Sequence, residues 1–124
     1  MSKRLKVLVV DDEDQVLQLV ASLLEARDHQ VAKAADGEQA LSQVAADRPD
    51  VILLDIMMPG VDGATVAQRL REAPETADIP IVFLTGLVDA NEMKKRGPRI
   101  GGQYFLAKPF DAERLYQVLE LATR

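Results

Sequence analysis

The chain has 124 residues, the size of one domain, so we expect 1–124 to form a single domain. Hydrophobic residues make up 48% and charged residues 28%, which disfavours disorder, and the absence of cysteine excludes disulfides and thiolate chemistry. The net charge of -5 argues against direct nucleic-acid binding. No segment approaches the ~20 apolar residues of a membrane span, so we expect no membrane association and a cytoplasmic location.

The first predicted unit is a strand from about Lys6 to Val10 followed by a helix from about Glu13 to Arg27. The helix is predicted from apolar residues that recur every three or four positions and form one stripe. This stripe consists of Val16, Leu19, Val20, Leu23 and Leu24.

Four more strand–helix units follow along the chain. The second strand, 30–34, is short and mixed, which is typical of a sheet edge, whereas 51–54 is apolar at every position, as expected of a strand covered on both faces. Pro80 precedes the fourth strand. Alternating strands and helices predict an α/β fold, with a parallel sheet between two helical layers. Aspartates are well placed to cap the second, third and last helices: Asp36, Asp62 and Asp111.

The segment 91–102 is the least regular part of the pattern. It contains Gly97, Pro98, Gly101 and Gly102 where a fourth helix is expected, so we predict a short, kinked or partly unwound helix. The segment is also basic, which indicates either a solvated face or a docking patch for an acidic partner. Its basic residues are Lys94, Lys95, Arg96 and Arg99.

Polar residues of different chemistry end four of the predicted strands. In neighbouring parallel strands they would meet at one edge of the sheet, where open α/β folds bind ligands. Carboxylates there suit Mg²⁺, a hydroxyl and an ammonium suit a phosphoryl oxygen, and a carboxylate free to attack forms an aspartyl phosphate. A lone aspartate after a strand usually only caps a helix, but five convergent groups indicate a site. The groups are Asp11, Asp12, Asp55, Thr85 and Lys108.

Four motifs, in order and across nearly the whole chain, resemble the receiver domain of two-component response regulators of the single-domain, chemotaxis-regulator type. They are Asp11-Asp12, the segment 55–63, Thr85-Gly86 and Lys108-Pro109-Phe110. The resemblance implies a flavodoxin-like, doubly wound, five-stranded parallel sheet with strand order 2-1-3-4-5.

The resemblance also implies roles for these residues. Asp55 would accept a phosphoryl group from a histidine of a sensor kinase or phosphotransfer protein. Asp12, Asp55 and the backbone carbonyl of Met57 would ligate Mg²⁺, with Asp11 acting through water. Lys108 would contact the phosphoryl group. The Lys108–Pro109 peptide bond would be cis.

Further implied roles concern signalling. Thr85 and Phe105 would form the switch, although Phe105 lacks the tyrosine hydroxyl common there and is equally read as a core aromatic. Met57 and Leu87 occupy positions that tune phosphate lifetime, and both are apolar, which predicts slow hydrolysis.

The predicted function is self-catalysed phosphorylation of Asp55, without turnover of an external substrate, that changes partner affinity through the face formed by the fourth helix, fifth strand and fifth helix. A phosphate-independent interaction module on the same fold is the main alternative. A phosphohydrolase that uses an Asp nucleophile is less favoured, since Ile56 and Met57 are not acids. The downstream partner is not specified, and a phosphorylation-dependent homodimer stays open.

Overall fold

The computed structural model describes residues 4–86, 99–100 and 103–124, with only the backbone described for 99–100. Within these ranges the chain forms one sheet of six strands. The strands are β1 (Lys6–Val10), β2 (Gln30–Ala34), β3 (Val51–Asp55), β4 (Ile81–Thr85), β5 (Arg99–Ile100) and β6 (Gln103–Ala107). The described helices are α1 (Asp14–Glu25), α2 (Gly37–Ala46), α3 (Gly63–Glu72) and α4 (Ala112–Ala122). None of these four is long and apolar enough to cross a membrane.

The predicted five-stranded parallel sheet is confirmed. The strands lie in the order β2-β1-β3-β4-β6-β5, and β1, β2, β3, β4 and β6 pair in parallel. The two-residue strand β5, which the sequence did not predict, pairs antiparallel with β6 at the outer edge. It occupies part of the segment expected to hold an irregular fourth helix, and the rest of that segment, with Lys94, Lys95 and Arg96, lies outside the described residues.

The sheet separates two hydrophobic clusters because side chains alternate between its faces. In β1, Val7 and Val9 pack on the face covered by α1 and α4, whereas Leu8 and Val10 pack on the face covered by α2 and α3. All five residues of β3 and of β4 are buried. This double cover explains why the central strands are apolar until their last residue.

The predicted apolar stripe of α1 is partly wrong. Val20 and Leu24 are buried as expected, but Leu17 and Ala21 complete the buried face and Leu19 is 48% exposed. Leu17, Val20, Ala21 and Leu24 have the same helical spacing as the predicted set, so periodicity alone did not distinguish the two stripes. Val16 and Leu23 of the predicted set are half-buried and pack against the same core, so the error in the prediction is Leu19.

The three predicted helix caps are confirmed. Asp36, Asp62 and Asp111 each accept a hydrogen bond from the backbone N–H three residues later, at 2.8, 2.8 and 2.9 Å. Helix α1 differs, since its N-cap residue is Glu13, whose side chain makes no capping hydrogen bond.

Gly63 allows the start of α3 to lie against the end of β3. Its N–H donates to the carbonyl oxygen of Ile56 at 3.1 Å, and a Cβ atom at position 63 would lie 2.2 Å from the carbonyl oxygen of Asp55. No side chain fits at that distance without displacing backbone. Glycine at this position therefore lets α3 begin here without displacing the Asp55 backbone.

We expect Gly63→Ala to lower the free energy of unfolding by about 2–3 kcal/mol, because the new methyl group must push the Asp55 backbone aside. Urea unfolding followed by circular dichroism measures the change. Gly86→Ala is the matched control, because none of the described residues beyond its chain neighbours has a heavy atom within 4 Å of a Cβ built there. Equal stability of the Gly63→Ala protein and the wild type would show that the close approach is not a constraint.

Candidate functional site

The residues predicted to form the site converge at one edge of the sheet. Asp11 follows β1, Asp55 ends β3, Thr85 ends β4 and Lys108 follows β6. The Lys108 N–H donates to the carbonyl oxygen of Thr85 at 2.8 Å, which continues the pairing of β4 and β6 into the site. The parallel arrangement of these strands therefore brings together residues from four distant parts of the chain.

Three carboxylates form the acidic part of this edge. Each of Asp11, Asp12 and Asp55 offers one oxygen, and the three oxygens lie within 4.8 Å of one another. Asp11 is fully buried and Asp55 is 4% exposed, whereas Asp12 is exposed. Carboxylate oxygens this close suit a hard divalent cation, and an exposed member leaves a route for a hydrated ion. The donor set therefore fits Mg²⁺.

Lys108 supplies the positive charge next to this cluster. Its Nζ atom lies 2.6 Å from Oδ2 of Asp11, and 3.5 Å from both Oδ2 of Asp55 and Oε1 of Glu13. The predicted cis peptide bond between Lys108 and Pro109 is present. The ammonium thus compensates charge on several carboxylates at once.

Burial and crowding change the proton affinities in the site. Burial, reinforced by the charge of Asp11, raises the pKa of Asp55 to about 6, although Lys108 and the Met57 N–H act in the opposite direction. Burial acts to lower the pKa of Lys108, but the hydrogen bond to Asp11 and the charges of Asp11, Asp55 and Glu13 outweigh it and raise that pKa. The ionised form of Asp55 is therefore destabilised when only protein groups surround it.

Met57 contacts the site through its backbone. Its N–H donates to Oδ1 of Asp55 at 3.1 Å, and the residue is 64% exposed. The Met57 side chain is therefore largely in solvent, while its backbone contacts the Asp55 carboxylate. Leu87, the other residue predicted to tune phosphate lifetime, lies outside the described residues.

The two predicted switch residues lie in neighbouring strands. Thr85 is buried at the end of β4. Phe105 is half-buried and packs against Phe83, with ring centroids 5.6 Å apart, while Tyr104 on the opposite face donates its hydroxyl to the carbonyl oxygen of Leu121 at 3.2 Å. The switch role of Thr85 and Phe105 stays a prediction.

Sequence reasoning missed two residues of this site. Glu13 contacts Lys108, and Gly63 carries α3 against Asp55. The signal for Glu13 was a glutamate at a position where helices prefer Asp, Asn, Ser or Thr. The signal for Gly63 was a glycine at the first helical position, which has no purpose in the helix itself.

Comparison with known proteins shows the family of this chain. The model of the response regulator receiver domain matches residues 7–120. The chain belongs to this family. Its relatives include the response regulator PleD of Caulobacter vibrioides, which is 41% identical over 119 residues, and Protein PilH of Pseudomonas aeruginosa, which is 34% identical over 114 residues. These alignments cover 96% and 92% of the chain, but 26% of PleD and 93% of PilH.

Solved receiver structures have the same fold. The chemotaxis protein CheY4 of Vibrio cholerae is 32% identical, with a TM-score of 0.83 over 97% of this chain and 99% of that one. A response regulator of Chloroflexus aurantiacus is 36% identical, with a TM-score of 0.81 over 98% of this chain and 100% of that one. The receiver domain therefore has a phosphoacceptor function in two-component signalling. Receiver domains generally bind Mg²⁺ at an acidic pocket, and Asp11, Asp12 and Asp55 form such a cluster here.

The raised pKa of Asp55 predicts a pH-dependent cost to folding. A folded-state pKa of about 6 against an ordinary value of 3.8 means that the folded protein binds the proton more tightly, so stability falls as the pH rises through this interval. We therefore expect Asp55→Asn to raise the free energy of unfolding at pH 7.5, without divalent cations, by about 1–3 kcal/mol. At pH 4, close to the ordinary pKa of 3.8, most of the gain should be lost.

Urea unfolding at both pH values, in the presence of a chelator, checks this expectation. Asp12→Asn is the control, and its gain should be smaller because water solvates this exposed carboxylate. A gain for Asp55→Asn that is equal at the two pH values would contradict the assignment.

Proposed function

We propose that the 124 residues act as one receiver domain in which Asp55 accepts a phosphoryl group from a phosphohistidine of a sensor kinase or histidine phosphotransfer protein. The observation that carries the proposal is the convergence of buried Asp55 with two further carboxylates and the ammonium of Lys108. Asp12, Asp55 and the backbone carbonyl of Met57 would hold Mg²⁺, with Asp11 acting through water. A cytoplasmic location belongs to this proposal, since phosphohistidine is made from ATP.

The transfer needs an ionised Asp55. A pKa of about 6 leaves most of the carboxylate ionised at pH 7.5, in a buried position where few waters must be displaced. A carboxylate oxygen forms the new O–P bond as the P–N bond of phosphohistidine breaks, and the histidine nitrogen retains the electron pair.

Charge on the transferring group is stabilised by groups at the strand ends. Lys108, already 3.5 Å from Asp55, offsets negative charge on the phosphoryl oxygens, and Thr85 donates a hydrogen bond to one of them. A Mg²⁺ ion held by the carboxylates would supply positive charge that offsets theirs and that of the phosphoryl group. The crowded acids therefore become an acceptor site rather than a purely repulsive cluster.

Phosphorylation then changes the affinity for a partner. The added charge and acceptor oxygens draw Thr85 toward Asp55, and Phe105 on the adjacent strand follows. The output face comprises α4, β6 and the segment between β4 and β6. A partner that binds the two packings of this face with different affinity shifts their populations.

Phosphorylation of the wild type by phosphoramidate or by a phosphorylated histidine phosphotransfer protein should require Mg²⁺ and should be abolished in Asp55→Asn. Intact-protein mass spectrometry with and without a chelator measures it. Asp62→Asn is the matched control, because asparagine also caps helices and leaves Asp55 untouched. Phosphate on the Asp55→Asn protein, or none on the wild type with Mg²⁺, would refute the proposed acceptor.

We further propose that the aspartyl phosphate is long-lived, because Met57 and Leu87 are apolar and offer no hydrogen bond to an attacking water. Of the two, Met57 stands beside the acceptor, exposed, with its N–H on Oδ1 of Asp55. An apolar side chain here hinders water without contributing a proton acceptor.

Met57→Asn should speed the loss of phosphate by about tenfold, and the double variant Met57→Asn, Leu87→Glu should speed it further, since both side chains can orient water. The protein is loaded with phosphoramidate, desalted and followed by mass spectrometry. Leu19→Asn, which changes an exposed apolar residue of α1, is the control. Equally slow hydrolysis in the double variant would remove the basis for the proposal.

A further inference from the structure

Helix α1 begins with a residue whose side chain does not cap the helix. Asp36, Asp62 and Asp111 cap the other three described helices through their side chains, but the N-cap residue of α1 is Glu13, which makes no such bond. Short polar side chains at this position typically stabilise a helix, and α1 forgoes that stabilisation. A local choice that is poor for the helix indicates a role in the site beside it.

Glu13 instead contacts two residues of the candidate site, Asp11 and Lys108. Its N–H donates to Oδ1 of Asp11 at 2.9 Å, and the other oxygen of Asp11 lies 2.6 Å from Nζ of Lys108. Asp11 thus holds the backbone of Glu13 and the ammonium of Lys108 at the same time. The Glu13 carboxylate completes the group, at 3.5 Å from Nζ.

Lys108 is therefore attracted by two carboxylates at equal distance, in addition to Asp11. Asp55 and Glu13 both lie 3.5 Å from Nζ, one buried and the other with its side chain 64% exposed. The cation cluster consists of Asp11, Asp12 and Asp55, so Glu13 acts on the lysine rather than on the metal site.

We propose that Glu13 is a positioning residue that restrains Lys108 and thereby limits the rate at which Asp55 is phosphorylated. This inference rests on the proposed function. In the unphosphorylated protein Glu13 takes up part of the lysine charge, so less of it is directed to the phosphoryl oxygens. The exposure of Glu13 keeps this restraint weak enough for an incoming phosphoryl group to displace it.

The test compares variants that remove the charge with and without supplying a cap. Glu13→Gln and Glu13→Asn should both speed phosphorylation by phosphoramidate about threefold to tenfold at saturating Mg²⁺. Only asparagine should also stabilise α1. Equal acceleration in the two variants indicates the charge, whereas acceleration only in Glu13→Asn would indicate the helix start and overturn the inference.

Two controls distinguish an effect of Glu13 on Lys108 from a general effect of removing negative charge near the site. Asp14→Asn removes a neighbouring carboxylate that is hydrogen-bonded to Gln18 instead, and it should leave the rate within about twofold of the wild type. In a Lys108→Met background, Glu13→Gln should have no effect, as a double-mutant cycle requires of an interaction through Lys108.

A measurement that does not depend on phosphorylation also tests variants that are phosphorylated too slowly to compare. The ¹⁵N chemical shift of the Lys108 ammonium should change in Glu13→Gln and should stay the same in Asp14→Asn. A wild type that is phosphorylated while both Glu13 variants keep its rate, or an acceleration that survives in Lys108→Met, overturns this inference alone. A wild type that is not phosphorylated overturns the proposed function and this inference together.

Discussion

The ion pair between Lys108 and Asp11 is the interaction on which the candidate site depends. It joins the ends of β6 and β1, which are separated in the sheet by β3 and β4. Asp11 is fully buried, and an unpaired carboxylate there would be strongly unfavourable. The positive charge of Lys108, which follows a strand separated from β1 by two others, therefore makes it possible for three carboxylates to share one edge.

The rest of the fold brings these groups together and keeps them in place. Two hydrophobic clusters cover the sheet, so its central strands are apolar until they reach the edge. Gly63 then lets α3 start against the backbone of Asp55. The result is a buried carboxylate on Asp55, whose ionised form is costly without a cation. The burial of Asp55 thus lowers the stability of the metal-free fold at neutral pH.

Several parts of this arrangement were predictable from local sequence. The parallel strands follow from apolar runs, and the Asp36, Asp62 and Asp111 caps from a short acid placed before a helix. The face of α1 was predicted less well, since the same periodicity also fits Leu17 and Ala21, which are buried, whereas the predicted Leu19 is exposed. The two-residue strand β5 was also missed, because pairing so short has no sequence pattern.

By itself the sequence determined the strand–helix alternation and which polar residues end the strands, because both depend on residues close together along the chain. Only the tertiary structure decided that Glu13 and Asp55 lie equally far from Lys108, and that burial raises the pKa of Asp55. These are properties of distance and solvent exclusion between residues up to 97 positions apart, as Asp11 and Lys108 are, and no local pattern encodes them.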